Sequence, residues 1–156
     1  MIKLDAFERS PKLAEIRAVY KSRTKASERT NIRAPLDVVE YLRTVWNQDT
    51  LELREDFLVL CLNGNHQAIG WVRVATGGFN FAPIDPRVVF SVALQTASSA
   101  IILAHNHPSG SLQPSAEDKA ITNRLKEAGE LLGIRVLDHL ILTRDEHFSF
   151  QEDGLL

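Results

Sequence analysis

The segment Ala100-Ile101-Ile102-Leu103-Ala104 is continuously apolar and ends directly on His105-Asn106-His107. Five apolar residues in a row are too few for a buried helix, and a run of this length reads as a strand with no solvent-facing side. A second such run, Phe57 to Leu62, is ended by the turn residues Asn63-Gly64-Asn65. It reads as a central strand leading into a hairpin, with Ile69 to Ala75 as the returning strand and Gly77-Gly78 as its stop. Strands of this kind need cover, so the chain must supply helices to pack on the sheet.

Those helices are legible from their caps and spacing. Pro35 opens one in which Val38, Val39, Leu42, Val45 and Trp46 recur at helical intervals, and Asn47-Gln48-Asp49-Thr50 breaks it. Asp85-Pro86 is an N-cap with proline at the first helical position, followed by a stripe of Val89, Val92, Ala93 and Thr96. Ser115 caps a longer helix whose apolar face is Ile121, Leu125, Ala128 and Leu132, with Gly133 as its stop. Strands over 134–142 and 148–150 complete the pattern, and Glu15 to Tyr20 alternates polar and apolar as a half-buried strand does. The expected class is α/β (α+β), a mixed β-sheet flanked by helices in a single domain. It divides into an N-terminal strand and basic arm over 1–34 and the main body over 35–156.

The length of 156 residues fits one domain that can bury its own core without disulfides. Cys61 is the only cysteine and lies inside an apolar run, so it reads as a small core hydrophobe in a reducing compartment. The N-terminus lacks the apolar stretch of a signal peptide, and no window approaches the ~20 apolar residues of a membrane span. The expected location is cytoplasmic. Net charge is −2 but uneven: residues 1–33 carry nine Lys or Arg against four Asp or Glu, a local +5 that leaves −7 for residues 34–156. Such an arm either is solvated, pairs with the acidic body, or touches nucleic acid.

The chemistry sits after the second buried strand. Residues i and i+2 of a strand share a face, so His105 and His107 present two imidazoles to one point. Pro108-Ser109-Gly110 turns the chain sharply, and Pro114 delivers it to Ser115-Ala116-Glu117-Asp118 at a helix start. This brings a carboxylate back towards the histidines. Ser115-x-x-Asp118 also has the form of a helix cap, and an acid one turn into a helix can serve both purposes. Two histidines and one carboxylate leave zinc a fourth position for water, whereas structural zinc sites are closed by four protein ligands. Hydrolysis at such a site needs a general base as well.

His-x-His, seven residues, then Ser-x-x-Asp resembles the JAMM motif of the JAB superfamily at every fixed position. Ala104-His105-Asn106-His107-Pro108-Ser109-Gly110 and Val136-Leu137-Asp138-His139 look like its RadC-like branch, over about residues 35–156. The resemblance implies a JAB/cytidine-deaminase-like fold, with His105, His107 and Asp118 as zinc ligands. It implies Ser115 as a hydrogen-bond donor to the water or to the developing oxyanion. It further implies a glutamate at the start of an earlier hairpin strand, for which Glu55 is the candidate general base. Glu52, three residues before it, is the other carboxylate available, and none follows from 57 to 84. His139 reads as a hydrogen-bonded core histidine that can approach the site; His66 and His147 read as surface residues. Longer RadC-like proteins carry a helix-hairpin-helix DNA-binding region ahead of this domain, for which the first 34 residues are too few.

Two functions follow as expectations. The first is a zinc-dependent hydrolase acting on a peptide or protein substrate. The second is a DNA-repair-associated or other nucleic-acid- or protein-binding module that keeps the fold, with the basic arm as its contact; the 7% aromatic content speaks against a single-strand stacking platform. A phosphodiester substrate is disfavoured because the motif has no Arg or Lys clamp. The oligomeric state is not readable from sequence.

Overall fold

The two apolar runs lie side by side at the centre of one sheet. The computed structural model of the protein describes residues 24–77 and 84–156. The described residues form helix α1 (Pro35–Val45), strands β1 (Asp56–Leu62) and β2 (Ala68–Thr76), helix α2 (Pro86–Gln95) and strand β3 (Ala100–Asn106). Helix α3 (Ala116–Leu132) and strands β4 (Arg135–Leu142) and β5 (His147–Ser149) follow. The sheet order is β2-β1-β3-β4-β5. β1 pairs antiparallel with β2 and with β3, β3 pairs parallel with β4, and β4 antiparallel with β5. The parallel pair requires a crossover, which α3 supplies. This is the expected mixed sheet flanked by helices.

Both faces of the central strands are covered, which explains their unbroken apolar runs. On one face Val38, Val39 and Leu42 of α1 pack on Leu58, Leu60, Leu62, Ile102 and Ala104. On the other, Val89, Phe90 and Ala93 of α2 and Leu125 of α3 pack on Phe57, Val59, Ile101 and Leu103. Cys61 is buried in this second layer, and burial pushes its thiol above the ordinary value, against hydrogen bonds from Ser98 and Thr96.

One irregularity matters for the site. Ile101 pairs with Val136 but Ile102 pairs with Asp138, so β4 carries an extra residue at Leu137. A bulge of this kind reverses the facing of everything after it. It places His139 opposite Leu103, on the α3 side of the sheet, while Leu137 and Leu140 lie on the α1 side.

The helix ends follow their sequence signals. Pro35 and Pro86 open α1 and α2, and the Asp85 carboxylate accepts the Arg87 N–H at 2.9 Å. Gly133 ends α3 with φ 69°, in the left-handed region that glycine tolerates. Details differ in four places. Leu132, expected on the apolar face of α3, is 42% exposed, because the inward positions there belong to Leu125 and Gly129. On α2 the stripe takes in Phe90, and Thr96 caps the helix end. β5 starts at His147 and ends at Ser149, leaving Phe150 buried just beyond it. His66 and His147, expected on the surface, are half-buried. The strand expected at Glu15 to Tyr20, with most of the basic segment, lies outside the described residues.

Gly129 marks the tightest approach between α3 and the following chain. A Cβ there would collide with the Ile134 carbonyl oxygen and press on the Phe90 ring at 3.4 Å. The Ile134 N–H also donates to the Gly129 carbonyl at 2.8 Å, so this backbone cannot easily retreat. Overpacking of this kind costs roughly 1–3 kcal/mol, against ~1 kcal/mol of helix propensity returned. Gly129→Ala is therefore expected to lower unfolding stability by up to about 2 kcal/mol, measured as the shift in urea midpoint.

Candidate metal centre

β3 carries its alternation straight into the site. Ile101 and Leu103 face α2 and α3, and His105 continues on that face, fully buried. His107 lies just past the strand, its N–H still bonded to the Leu142 carbonyl at 3.0 Å. The turn that follows is closed by the Gly110 N–H on the His107 carbonyl at 3.0 Å. It brings the Ser111 carbonyl to His107 Nδ1 at 2.7 Å, which leaves Nε2 turned towards His105. The two Nε2 atoms are 3.0 Å apart.

The third donor comes from the cap of α3. Ser115 Oγ accepts the Asp118 N–H at 3.0 Å, while Asp118 Oδ2 accepts from Ser115 N–H and O–H, both at 2.7 Å. This reciprocal capping box fixes the carboxylate. It leaves Oδ1 3.2 Å from His105 Nε2 and Oδ2 3.7 Å from His107 Nε2. His105, His107 and Asp118 thus form the metal-capable cluster among the described residues.

These spacings suit zinc. Bonds of about 2.0–2.1 Å to nitrogen and oxygen in a tetrahedron set the ligand atoms roughly 3.3–3.5 Å apart. The nitrogens are 3.0 Å apart, His105 Nε2 is 3.2 Å from Oδ1, and one donor atom from each residue lies within 4.8 Å of the others, so small side-chain shifts reach that value. Neutral imidazole and carboxylate are also the donor types zinc accepts.

The charges of the cluster reinforce one another. Burial disfavours an ionised Asp118, but contacts with His105, His107 and Ser115 outweigh it and hold the carboxyl well below the usual carboxylate range. Burial likewise opposes a charged His107, yet Asp118 and the Ser111 carbonyl raise its proton affinity above the ordinary value, with Glu55 adding to the effect. A preformed anion facing two ring nitrogens is an electrostatic seat for a cation.

The sheet register explains why Glu55 comes near. Phe57 pairs with His105, so continuing the antiparallel register brings Asp56 beside Asn106 and Glu55 towards His107. Glu55 is buried and lines a groove with Asp118, Glu117, Ile84, Ile121 and Arg124. Glu52 is placed differently: it is exposed, ion-paired to Arg144 at 3.0 Å, and faces the far side of His107. Asp56 is buried between Arg54 and Arg73, at 3.4 and 3.3 Å.

Asn106 was not singled out by sequence reasoning. It lies between the two histidines and points to the opposite face, where its carboxamide is fully buried. Its Oδ1 accepts the Asp56 N–H at 2.8 Å, and its Nδ2 donates to the carbonyls of Arg54 at 2.8 Å and Leu51 at 2.6 Å. It therefore grips the backbone on both sides of Glu55. The available signal was the alternation itself: a polar residue between two same-face histidines must enter the other layer, where it needs partners.

The family model for the RadC-like JAB domain matches residues 32–155. A UPF0758 protein of Pelobacter propionicus is 52% identical over 103 residues, covering 66% of this chain and 45% of the relative. The UPF0758 protein of Trichlorobacter lovleyi is 48% identical over 103 residues, and that of Flavobacterium johnsoniae 43% over 101, covering 45% and 44% of those proteins. The chain spans less than half the length of these curated relatives.

The coupling of Asp118 to His107 has a pH signature in metal-free protein. Asp118 titrates below 3.8 and His107 above 6.5, so their attraction is complete between those values. It is lost as pH rises through the raised His107 value, and as pH falls through the depressed Asp118 value. Asp118→Asn keeps the Ser115 cap, weakens its reciprocal carboxylate half at every pH, and removes the ion pair only where His107 is charged. It is expected to cost more melting temperature at about pH 5.5 than at about pH 9 in chelator. An equal loss at both would show the pair to be uncoupled.

Proposed function

The chain belongs to the RadC-like JAB domain family, and on that premise we propose that it is a zinc-dependent hydrolase of the JAMM metallopeptidase type, cleaving peptide or isopeptide bonds. The observation that carries this reading is the convergence of two imidazole nitrogens and one carboxylate, 3.0–3.7 Å apart, beside a groove that also holds Glu55. His105, His107 and Asp118 hold the ion. Three protein ligands leave a coordination position free, as catalytic zinc requires and structural zinc does not.

Zinc, once bound, supplies an acidified water and polarisation of the scissile carbonyl. Glu55 takes the proton of the attacking water and returns it to the nitrogen of the leaving amine as the C–N bond breaks. Its burial and the Asn106 grip on its flanking backbone keep that carboxylate in one place. The Ser115 hydroxyl, resting on Asp118 in the free protein, turns to the oxyanion as charge develops there. Ile84 and Ile121 give a substrate side chain an apolar seat beside Glu55 and Asp118. Among the described residues no helix is long and apolar enough to cross a membrane.

Elemental analysis of purified protein is expected to find about one zinc per chain, lost in His107→Ala and Asp118→Ala while circular dichroism shows both folded. Glu55→Gln is expected to keep the metal and to lose about 10²–10⁴ of rate on any peptide or isopeptide substrate found by screening. A folded wild type that takes up no zinc would overturn the proposal and leave a nucleic-acid- or protein-binding module.

A further inference from the structure

His139 stands behind the metal centre and does not reach its open side. The bulge at Leu137 turns it towards α3, where it is completely buried. Its Nε2 lies 2.8 Å from His105 Nδ1 and its Nδ1 lies 2.6 Å from Thr122 Oγ1. Thr122, one helical turn after Asp118, donates its hydroxyl to the Asp118 carbonyl at 2.5 Å. An unbroken chain of three hydrogen bonds thus runs from the backbone of one candidate ligand to the ring of another.

Proton accounting along this chain has one solution. Thr122 owns a single hydroxyl proton, and the Asp118 carbonyl can only accept. With that proton on the carbonyl, the Thr122 oxygen must accept, so His139 carries its proton on Nδ1. His139 Nε2 is then the acceptor, and His105 must donate from Nδ1. The reverse order would put the Thr122 proton on His139 and leave two oxygens facing each other at 2.5 Å with no proton between them. Ring packing holds the arrangement in place: Phe57 stacks on His105 with planes 9° apart, and Phe150 stacks on His139 at 4.7 Å. His139 is completely buried and its two ring nitrogens face His105 and the Thr122 hydroxyl, neither of them a carboxylate, so nothing there offsets the cost of a charged ring.

We infer that His139 and Thr122 are positioning residues that hold a proton on His105 Nδ1, so that Nε2 is the ring nitrogen turned to the metal position. The purpose of the lock rests on the zinc reading above, but the tautomer itself is a property of the metal-free chain. Partners of this type orient a ligand histidine and raise its basicity, and their loss typically costs 10–100-fold in metal affinity.

The test uses the full chain, ¹⁵N-labelled and stripped of metal, at about pH 8. Long-range ¹H–¹⁵N correlation spectra are expected to show both His105 and His139 protonated on Nδ1. A His105 with Nδ1 bare and its proton on Nε2 alone would overturn the inference. Zinc affinity is then measured by chelator competition. His139→Phe fills the space between Phe57 and Phe150 without an acceptor, and is expected to bind zinc about 10–100-fold more weakly with a mixed His105 tautomer. His139→Gln returns an amide oxygen to His105 and is expected to restore affinity to within about threefold. Thr122→Val keeps the shape and removes the hydroxyl, so it should weaken binding less, in the same direction. It decides the question even if His139→Phe fails to fold. Wild-type affinity in Thr122→Val or in a folded His139→Phe would overturn the lock. Failure of wild type to bind zinc, with the tautomer as described, would instead remove the hydrolase reading.

Discussion

Burying β3 on both faces is the constraint from which the site follows. Its even residues, Ile102, Ala104 and Asn106, look towards α1, and its odd residues, Ile101, Leu103 and His105, look towards α2 and α3. Neither set can shift by one without exchanging layers. The same alternation therefore aims His105 at the N-terminal end of α3 and aims Asn106 at the segment that carries Glu55. A site built on a strand held in this way has little freedom to drift.

The cost of the arrangement is a set of polar groups in the core, each of which has to be satisfied. His105, Asn106, Asp138 and His139 are all buried. Asp138 meets the demand on the opposite face from His139: it accepts from the His139 N–H, the Ser149 hydroxyl and the Gln151 N–H. Burial nevertheless keeps its carboxyl above the ordinary value. Through Ser149 and Gln151 it also ties down the chain after β5, and Phe150 between them closes over the His139 ring. The C-terminal segment thus acts as the back wall of the metal centre.

Much of this was legible in the chain. Asp85-Pro86, Ser115-x-x-Asp118 and Gly133 mark helix ends by chemistry confined to a few residues, and the structure places the ends there. The apolar runs marked the two central strands for the same reason. Leu132 was misread because a four-residue stripe cannot show where a helix stops touching its neighbour; α3 leaves Leu131 and Leu132 exposed in its last turn. The bulge at Leu137 could not be placed from Val136-Leu137-Asp138-His139, where two apolar residues precede two polar ones and nothing local says which residue is the extra one.

By itself the sequence determined that His105 and His107 share a side of the chain and that Asp118 sits one turn into a capped helix. Strand alternation and helix capping operate over two to four residues, so they survive whatever the rest of the molecule does. The tertiary structure alone decided what surrounds those donors. Asn106 reaches Asp56, 50 residues away, and His139 reaches His105 across 34. Glu55 rather than Glu52 enters the groove because Phe57 pairs with His105. Contacts at such separations depend on sheet register, on one inserted residue in β4 and on packing between layers, none of which is encoded within the reach of a local motif.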